Sequence, residues 1–198
     1  MLKIGLTGGI CSGKSTVSDL FKNLYSISII DADEISRNLL TPNSPAFNEV
    51  IELFGHQAIL HDKQLNRKYI RKIIFSDKQK RLALEKIVHP KVRHNISSQL
   101  DSLTTTYCLI VIPLLIESNM HDLVDRICVV DTTPELQIKR IKSRDQCDLA
   151  QAKQILSSQL DRDTRLSHAN DIIVNNGDLD DLNQQISKLH EKYLALCH

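Results

Sequence analysis

Tryptophan is absent from the 198-residue sequence, and aromatic residues make up 4% of it. The stacking platforms used to bind single-stranded nucleic acid are therefore not expected. Neither sign of charge dominates: 25 Lys and Arg stand against 24 Asp and Glu, a formal net charge of +1. Nothing global advertises a nucleic-acid or anionic-membrane partner. No apolar run approaches the ~20 residues of a membrane-spanning helix. The opening residues Met1 to Thr7 lack the charged, apolar and cleavage-site pattern of a secretory signal. The five cysteines (Cys11, Cys108, Cys128, Cys147 and Cys197) are odd in number, widely spaced and without a C-x-x-C pair. Neither a disulfide framework nor a zinc site reads out of them. Cys108 and Cys128 fall in apolar runs and read as core residues, and a reduced cytosol is the expected setting. No histidine takes part in H-E-x-x-H or a similar ligand spacing. His56, His61, His94, His121, His168, His190 and His198 read as surface or structural residues.

What is present is an ordinary globular composition, 41% hydrophobic and 25% charged. Lys3 to Thr7 is a short apolar run followed at once by a glycine-rich turn. Val17, Leu20, Phe21 and Leu24 then recur at helical spacing along Lys14 to Leu24. Four further runs read as strands: Ser28 to Asp31, Tyr107 to Ile112, Arg126 to Asp131 and Asp171 to Val174. The continuous apolar ones suit strands buried on both faces. Thr133-Pro134 predicts a capped helix running to about Asp145. A last helix is expected from near Asp178, with Leu179, Leu182, Ile186, Leu189 and Tyr193 as its apolar stripe. Strands alternating with helices predict an α/β fold with a parallel sheet of five strands. Residues 37–106 are long, charged and helical in pattern, with turn chemistry at Thr41 to Pro45 and at His89-Pro90. They read as a helical insertion between strands two and three, either a covering layer or a substrate-holding subdomain.

Gly8 to Ser15 (GGICSGKS) fits G-x-x-x-x-G-K-[ST]. Glycines let the backbone wrap closely. Successive N–H groups then converge on a phosphate, reinforced by the N-terminus of the following helix. Lys14 is placed to reach the β- and γ-phosphates, and the Ser15 hydroxyl to bind Mg²⁺. The match stands after a strand and before a helix, as the chemistry requires. A nucleoside triphosphate, read as ATP with Mg²⁺, is the expected ligand.

Other candidates cluster at strand ends, where a parallel sheet opens its ligand crevice. Asp31 and Asp33 follow the second strand and would lie on one side if the backbone stayed extended. They could orient the metal and accept a hydroxyl proton, or simply cap the next helix. Glu117 follows the third strand, and reads as an active-site acid or a loop carboxylate. Arg140 and Arg144 are four apart, so they share a helix face. They could neutralise charge as a phosphoryl group moves, or form a solvated basic face with Lys139 and Lys142. Asn175-Asn176-Gly177 after the fifth strand reads as a turn or as the edge that receives a base.

In order and spacing these pieces resemble the dephospho-coenzyme A kinase family over essentially the whole chain. The most specific stretches are LTGGICSGKST (Leu6 to Thr16), DADEISR (Asp31 to Arg37), VHP (Val88 to Pro90), PLLIE (Pro113 to Glu117), VVDTTPELQIKRIKSRD (Val129 to Asp145) and the segment from Ala169 to Gly177. The resemblance implies a P-loop NTPase-like three-layer α/β/α kinase core, a helical substrate subdomain and a small lid at 134–165. It implies ATP-dependent phosphorylation of the ribose 3′-hydroxyl of dephospho-coenzyme A, the last step of coenzyme A biosynthesis, in the cytoplasm. It places Cys11, Ser12, Gly13, Lys14, Ser15 and Thr16 at the ATP phosphates, with Arg140 of the lid; Arg144, on the same helix face, is expected to join it. Asp33, with Asp31 near it, falls beside the acceptor hydroxyl and Mg²⁺. The adenine of ATP falls at Asn175, Asn176 and Gly177, and His89 belongs to the substrate subdomain. One departure stands out: Cys11 occupies a loop position where the family usually has glycine. A positive φ there would strain it. A thiol beside Lys14 and a helix N-terminus is expected to have a lowered pKa, which would make the loop redox-sensitive; the alternative is a harmless substitution.

Two rival functions remain at this point. Another small-molecule kinase of the nucleotide or shikimate type would use the same loop on a different acceptor. A guanine-nucleotide switch would carry N-K-x-D and D-x-x-G, and neither occurs in the sequence.

Overall fold

The structure, a computed structural model, describes residues 1–197; His198 lies outside them. Five strands, β1 (Leu2–Gly8), β2 (Ser28–Asp31), β3 (Tyr107–Val111), β4 (Arg126–Asp131) and β5 (Asp171–Val174), form one sheet in the order β2-β3-β1-β4-β5. Every pairing is parallel. Each chain segment must therefore cross back between strands, and helices make most of the crossings. The helices among the described residues are α1 (Lys14–Tyr25), α2 (Ala32–Leu39), α3 (Pro45–Phe54), α4 (Arg67–Ser76), α5 (Lys78–Asp101), α6 (Pro134–Asp145), α7 (Leu149–Ser157), α8 (Arg162–Ser167) and α9 (Leu179–Ala195); β3 returns to β4 through a short 3₁₀ turn alone, His121–Leu123, and α9 follows the last strand. The five-stranded parallel sheet with its helices is the three-layer α/β arrangement expected from the sequence.

The chain divides into two compact units, one of Met1–Asp31 with Leu103 onward, the other of Ala32–Ser102. In the first unit, β1 is central and bonded on both sides. All five residues of β3 are buried, as its unbroken apolar run requires. Val17 and Phe21 of α1 and Leu182, Ile186 and Tyr193 of α9 close over Ile4, Leu6, Leu109 and Val130. Burying each large apolar side chain contributes roughly 1.5–3 kcal/mol. Cys108 and Cys128 are fully buried in the sheet, as expected. Of the predicted α9 stripe, Leu179 is the exception: 55% exposed in the first turn, it stays outside the core.

The second unit is helical throughout α2 to α5 and begins at Ala32, not at 37. Its own core is built from Ala46, Phe47, Val50 and Phe54 of α3 with Leu65 and Ile70. Ser44 caps α3 by accepting the Phe47 N–H at 3.1 Å, and Pro45 opens the helix. The turn expected at His89-Pro90 is not there: Pro90 sits inside the 24-residue α5. The lost N–H costs a helix bond, but α5 packs on α2, α3 and α4, and Lys91 reaches back to the Ile87 carbonyl (3.3 Å) and across to Glu49 (3.0 Å). Tertiary contact outweighs the local break.

Candidate active site

Because all strands run the same way, their C-terminal ends share one edge of the sheet. That edge carries the loop after β1, Asp31 at the end of β2, the 113–117 segment, Asp131 to Thr133 and Asn175 to Gly177.

The loop Gly8 to Gly13 turns through two left-handed residues, Cys11 (φ 55°) and Gly13 (φ 99°). Gly13 needs its missing side chain twice over. Its φ suits glycine, and a Cβ there would stand 2.1 Å from the Asn175 amide nitrogen. From Gly13 the chain enters α1, so the loop ends on a helix N-terminus. Lys14 folds back over the loop and donates to the carbonyls of Gly8 (2.8 Å) and Gly9 (3.1 Å). Ser15 and Thr16 follow in the first turn of α1, both exposed. This backbone path, with Lys14 over it and a hydroxyl beside it, fits a triphosphate. Ser12 differs from its neighbours: its side chain is 1% exposed and its hydroxyl has no hydrogen-bond partner. Its backbone N–H donates to the Gly9 carbonyl at 3.2 Å, which tightens the loop.

The loop is clamped from α6 and from the end of β5. Gln137 donates to the Ile10 carbonyl at 2.7 Å, and the Ile10 N–H donates to Gln159 at 2.7 Å. Arg140 donates to the carbonyls of Cys11 (3.2 Å), Ser12 (3.4 Å) and Asn175 (3.2 Å). Asn175, itself buried, donates to the Ser12 carbonyl at 2.7 Å. Asn176 accepts from the Thr132 hydroxyl (2.9 Å) and the Thr133 N–H (3.1 Å). Gly177 packs against Asp181. Lys14, Arg140 and Asn175 are thus gathered around one loop, while Asn176 and Gly177 face Thr132, Thr133 and Asp181. Arg144 is less engaged: it pairs bidentately with its neighbour Asp145 at 2.7 and 2.8 Å.

Two expectations change. The Cys11 thiol is pushed up from its usual range, first by burial; the nearby Arg144, Lys14 and Arg140 charges do not outweigh it. The lowered pKa expected beside Lys14 is therefore not found, because desolvation of the thiolate wins. The backbone at Cys11 is the strained, left-handed one, so the substitution is not conformationally neutral. Asp31 and Asp33 do not alternate along an extended chain. β2 ends at Asp31 and α2 starts at Ala32, leaving Asp33, exposed, in the first helical turn. A carboxylate suits that position.

Glu117 accepts the Leu160 N–H at 3.3 Å and so holds the segment leading into α8. Asp33 and His89 belong to the helical unit. There His89 lines a cavity of about 300 Å³ with Ser36, Leu65, Arg67, Arg71 and Glu85.

Sequence reasoning missed Asp131, Gln137, Gln159, Arg162 and Arg165. Buried Asp131 receives a bidentate pair from Arg162 at 2.9 and 2.6 Å. Its signal, an acid closing a strand, was the same one that drew attention to Asp31. Arg162 is the partner of Asp131, 31 positions on; Gln137, Gln159 and Arg165 had no signal, since nothing in their spacing announces a loop more than a hundred residues away. Among the described residues, no group of three or more His, Cys, Asp or Glu side chains is gathered for a resident metal.

Residues 2–181 match the family model described as dephospho-CoA kinase. A dephospho-CoA kinase of Vibrio parahaemolyticus is 44% identical over 196 residues, covering 99% of this chain and 96% of that one. The crystal structure of a Thermus thermophilus protein superposes with a TM-score of 0.85 at 26% identity, over 96% of this chain and 97% of that one. A dephospho-CoA kinase from Campylobacter jejuni superposes with a TM-score of 0.73 at 30% identity, over 99% and 98% of the two chains.

Proposed function

The chain belongs to the dephospho-CoA kinase family, and on that premise we propose that it transfers the γ-phosphoryl group of ATP to the ribose 3′-hydroxyl of dephospho-coenzyme A. The products are coenzyme A and ADP, closing coenzyme A biosynthesis. The observation that carries this is the Gly8–Ser15 loop with Lys14 folded over it, in a chain matched to the family nearly end to end.

In this reading the loop amides hold the phosphates, and Lys14 offsets charge on the β- and γ-phosphates as the γ-phosphorus leaves one oxygen for another. Arg140 adds positive potential from its place on the loop carbonyls, with Arg144 further along the same helix. Mg²⁺, when bound with the nucleotide, would supply further charge neutralisation. Ser15, an exposed hydroxyl in the first turn of α1, is the side chain that would hold it, and Asp33 is the carboxylate we assign to it from the motif. Asp33 receives the proton of the 3′-hydroxyl as the new O–P bond forms and the bond to ADP breaks; Asp31 supports it. The motif around Asp33 and its place in the first turn of α2 support that role. Asn175 to Gly177 receive the adenine of ATP. The cavity beside His89 receives part of the acceptor, since Ser36 on its wall is one turn from Asp33 on α2. Residues 134–165 act as the lid that excludes water, with Glu117 anchoring the segment leading into α8. A small-molecule acceptor suits the near-neutral charge. The cytoplasm suits five free thiols. No helix among the described residues is long and apolar enough to cross a membrane.

An ADP-release assay across acceptors tests the proposal. Turnover with dephospho-coenzyme A should far exceed that with a nucleoside monophosphate or shikimate. Equal turnover on either would overturn it.

A further inference from the structure

Arg165, on α8 at the end of the lid segment, has no role of its own in the function as proposed. Its residue is only 7% exposed. A buried guanidinium is costly unless an opposite charge and several hydrogen bonds accompany it. Arg165 has little of either. Among the described residues, its one hydrogen bond goes to the Leu160 carbonyl at 2.5 Å, and no carboxylate comes within ion-pair distance. The carboxylates around it are otherwise engaged: Asp131 with Arg162, Glu117 with the Leu160 N–H, Asp161 with the Thr164 N–H and hydroxyl. Burial lowers the pKa of Arg165, and Glu117, Asp131 and Asp161 offset this only in part.

The same guanidinium faces the phosphate loop. Its Nη1 lies 3.1 Å from the point where a Cβ on Gly9 would stand. The Gly9 carbonyl accepts from Lys14 at 3.1 Å. Two cations from different helices therefore meet at one loop residue. Loop amides nearest a following helix hold the α- and β-phosphates, and the loop lysine reaches on toward the γ. Gly9 lies at the end of the loop away from α1.

We propose that Arg165 engages the terminal phosphate of bound ATP, as a second cation beside Lys14, so that the buried charge is paired only when the triphosphate is in place. This rests on reading the loop as an ATP site. An arginine suits the task, since its fork presents several donors to phosphate oxygens at once.

The test compares Arg165→Met, which keeps the stem and removes the charge, with Arg165→Lys. Calorimetry measures ATP and ADP binding, and thermal unfolding measures the free protein. In Arg165→Met, ATP affinity should fall roughly ten- to a hundred-fold, ADP affinity should change less than about two-fold, and the free protein should melt no lower than wild type. Arg165→Lys should recover part of the ATP affinity. ATP and ADP weakening together with a lowered melting temperature would make Arg165 a structural staple for Leu160 and overturn the proposal. Unchanged ATP affinity would overturn it equally. If the folded wild-type chain bound neither nucleotide, the ATP reading itself would fall, a result distinct from either.

Discussion

The amide of Asn175 donates to the carbonyl of Ser12 at 2.7 Å, joining the end of β5 to the phosphate loop across 163 positions. Asn175 also returns its own carbonyl to Arg140 and to the Thr132 hydroxyl. Asn175→Ala removes the amide and leaves the Ser12 carbonyl only the longer bond from Arg140 at 3.4 Å, at a cost of about 1 kcal/mol. ATP affinity should fall with it, because the loop loses a clamp. Gly13→Ala should be worse, since it adds a Cβ at φ 99° against the same amide. Thermal unfolding and ATP titration check both. An Asn175→Ala protein with wild-type melting and ATP affinity would show that the loop holds its shape without it.

Lys14 and Asp33 should separate by ligand. Lys14→Ala should abolish turnover and weaken ATP binding, since its ammonium sits over Gly8 and Gly9. Asp33→Asn should abolish turnover with ATP binding largely intact, because its role is with the acceptor. Calorimetry beside single-turnover kinetics makes the distinction. Near-normal turnover in Asp33→Asn would remove it from the proton-accepting role; positioning and charge neutralisation would then carry the reaction.

Local signals made the sheet and the loop legible. The run YCLIV could only be a strand buried on both faces, and it is. Thr133-Pro134 started a helix where cap and proline chemistry said it would. Pro90 misled, because the packing of α5 on three helices outweighs one missing hydrogen bond. Asp31 and Asp33 misled for a smaller reason: a strand can pass into a helix within one residue, and then period two no longer applies. Gln137, Gln159 and Arg165 could not have been found. Gln137 and Gln159 bond to the loop and Arg165 lies beside it, each from a distant segment, and such contacts leave no periodic trace in one sequence.

Cys11 can be tested for strain and for reactivity independently. Glycine there would relieve roughly 1–2 kcal/mol of left-handed strain while adding about 0.5–1 kcal/mol of unfolded-state entropy. Cys11→Gly should therefore melt slightly higher than wild type or equal to it. The raised thiol pKa means less thiolate at neutral pH. Iodoacetamide should modify Cys11 more slowly than a free cysteine, with the rate climbing into alkaline pH. Rapid alkylation at neutral pH would show that the surrounding cations outweigh burial after all.

Asp171 should make the fold acid-sensitive. Its side chain is 1% exposed and takes hydrogen bonds from Arg126 (3.0 Å), Lys192 and Tyr193 (3.3 Å). Burial alone would raise its carboxyl pKa, but the bonds from Arg126 and Lys192 prevail and hold it below the usual range. A carboxylate with a lowered folded pKa contributes stability in full above its unfolded pKa, which is about 3.9. That stability is lost as pH falls through the folded value, because only the unfolded chain binds the proton readily in between. Wild-type urea midpoints should therefore drop as pH falls below about 4. Asp171→Asn keeps the shape but leaves Arg126 and Lys192 facing a neutral amide. It should cost about 3 kcal/mol at neutral pH. That is the low end for a buried pair, because the two cations are 24% and 47% exposed and partly screened. The variant should also lose part of the wild-type decline below pH 4. If the two proteins differed by the same amount at every pH, Asp171 would not be the group whose protonation unfolds the chain.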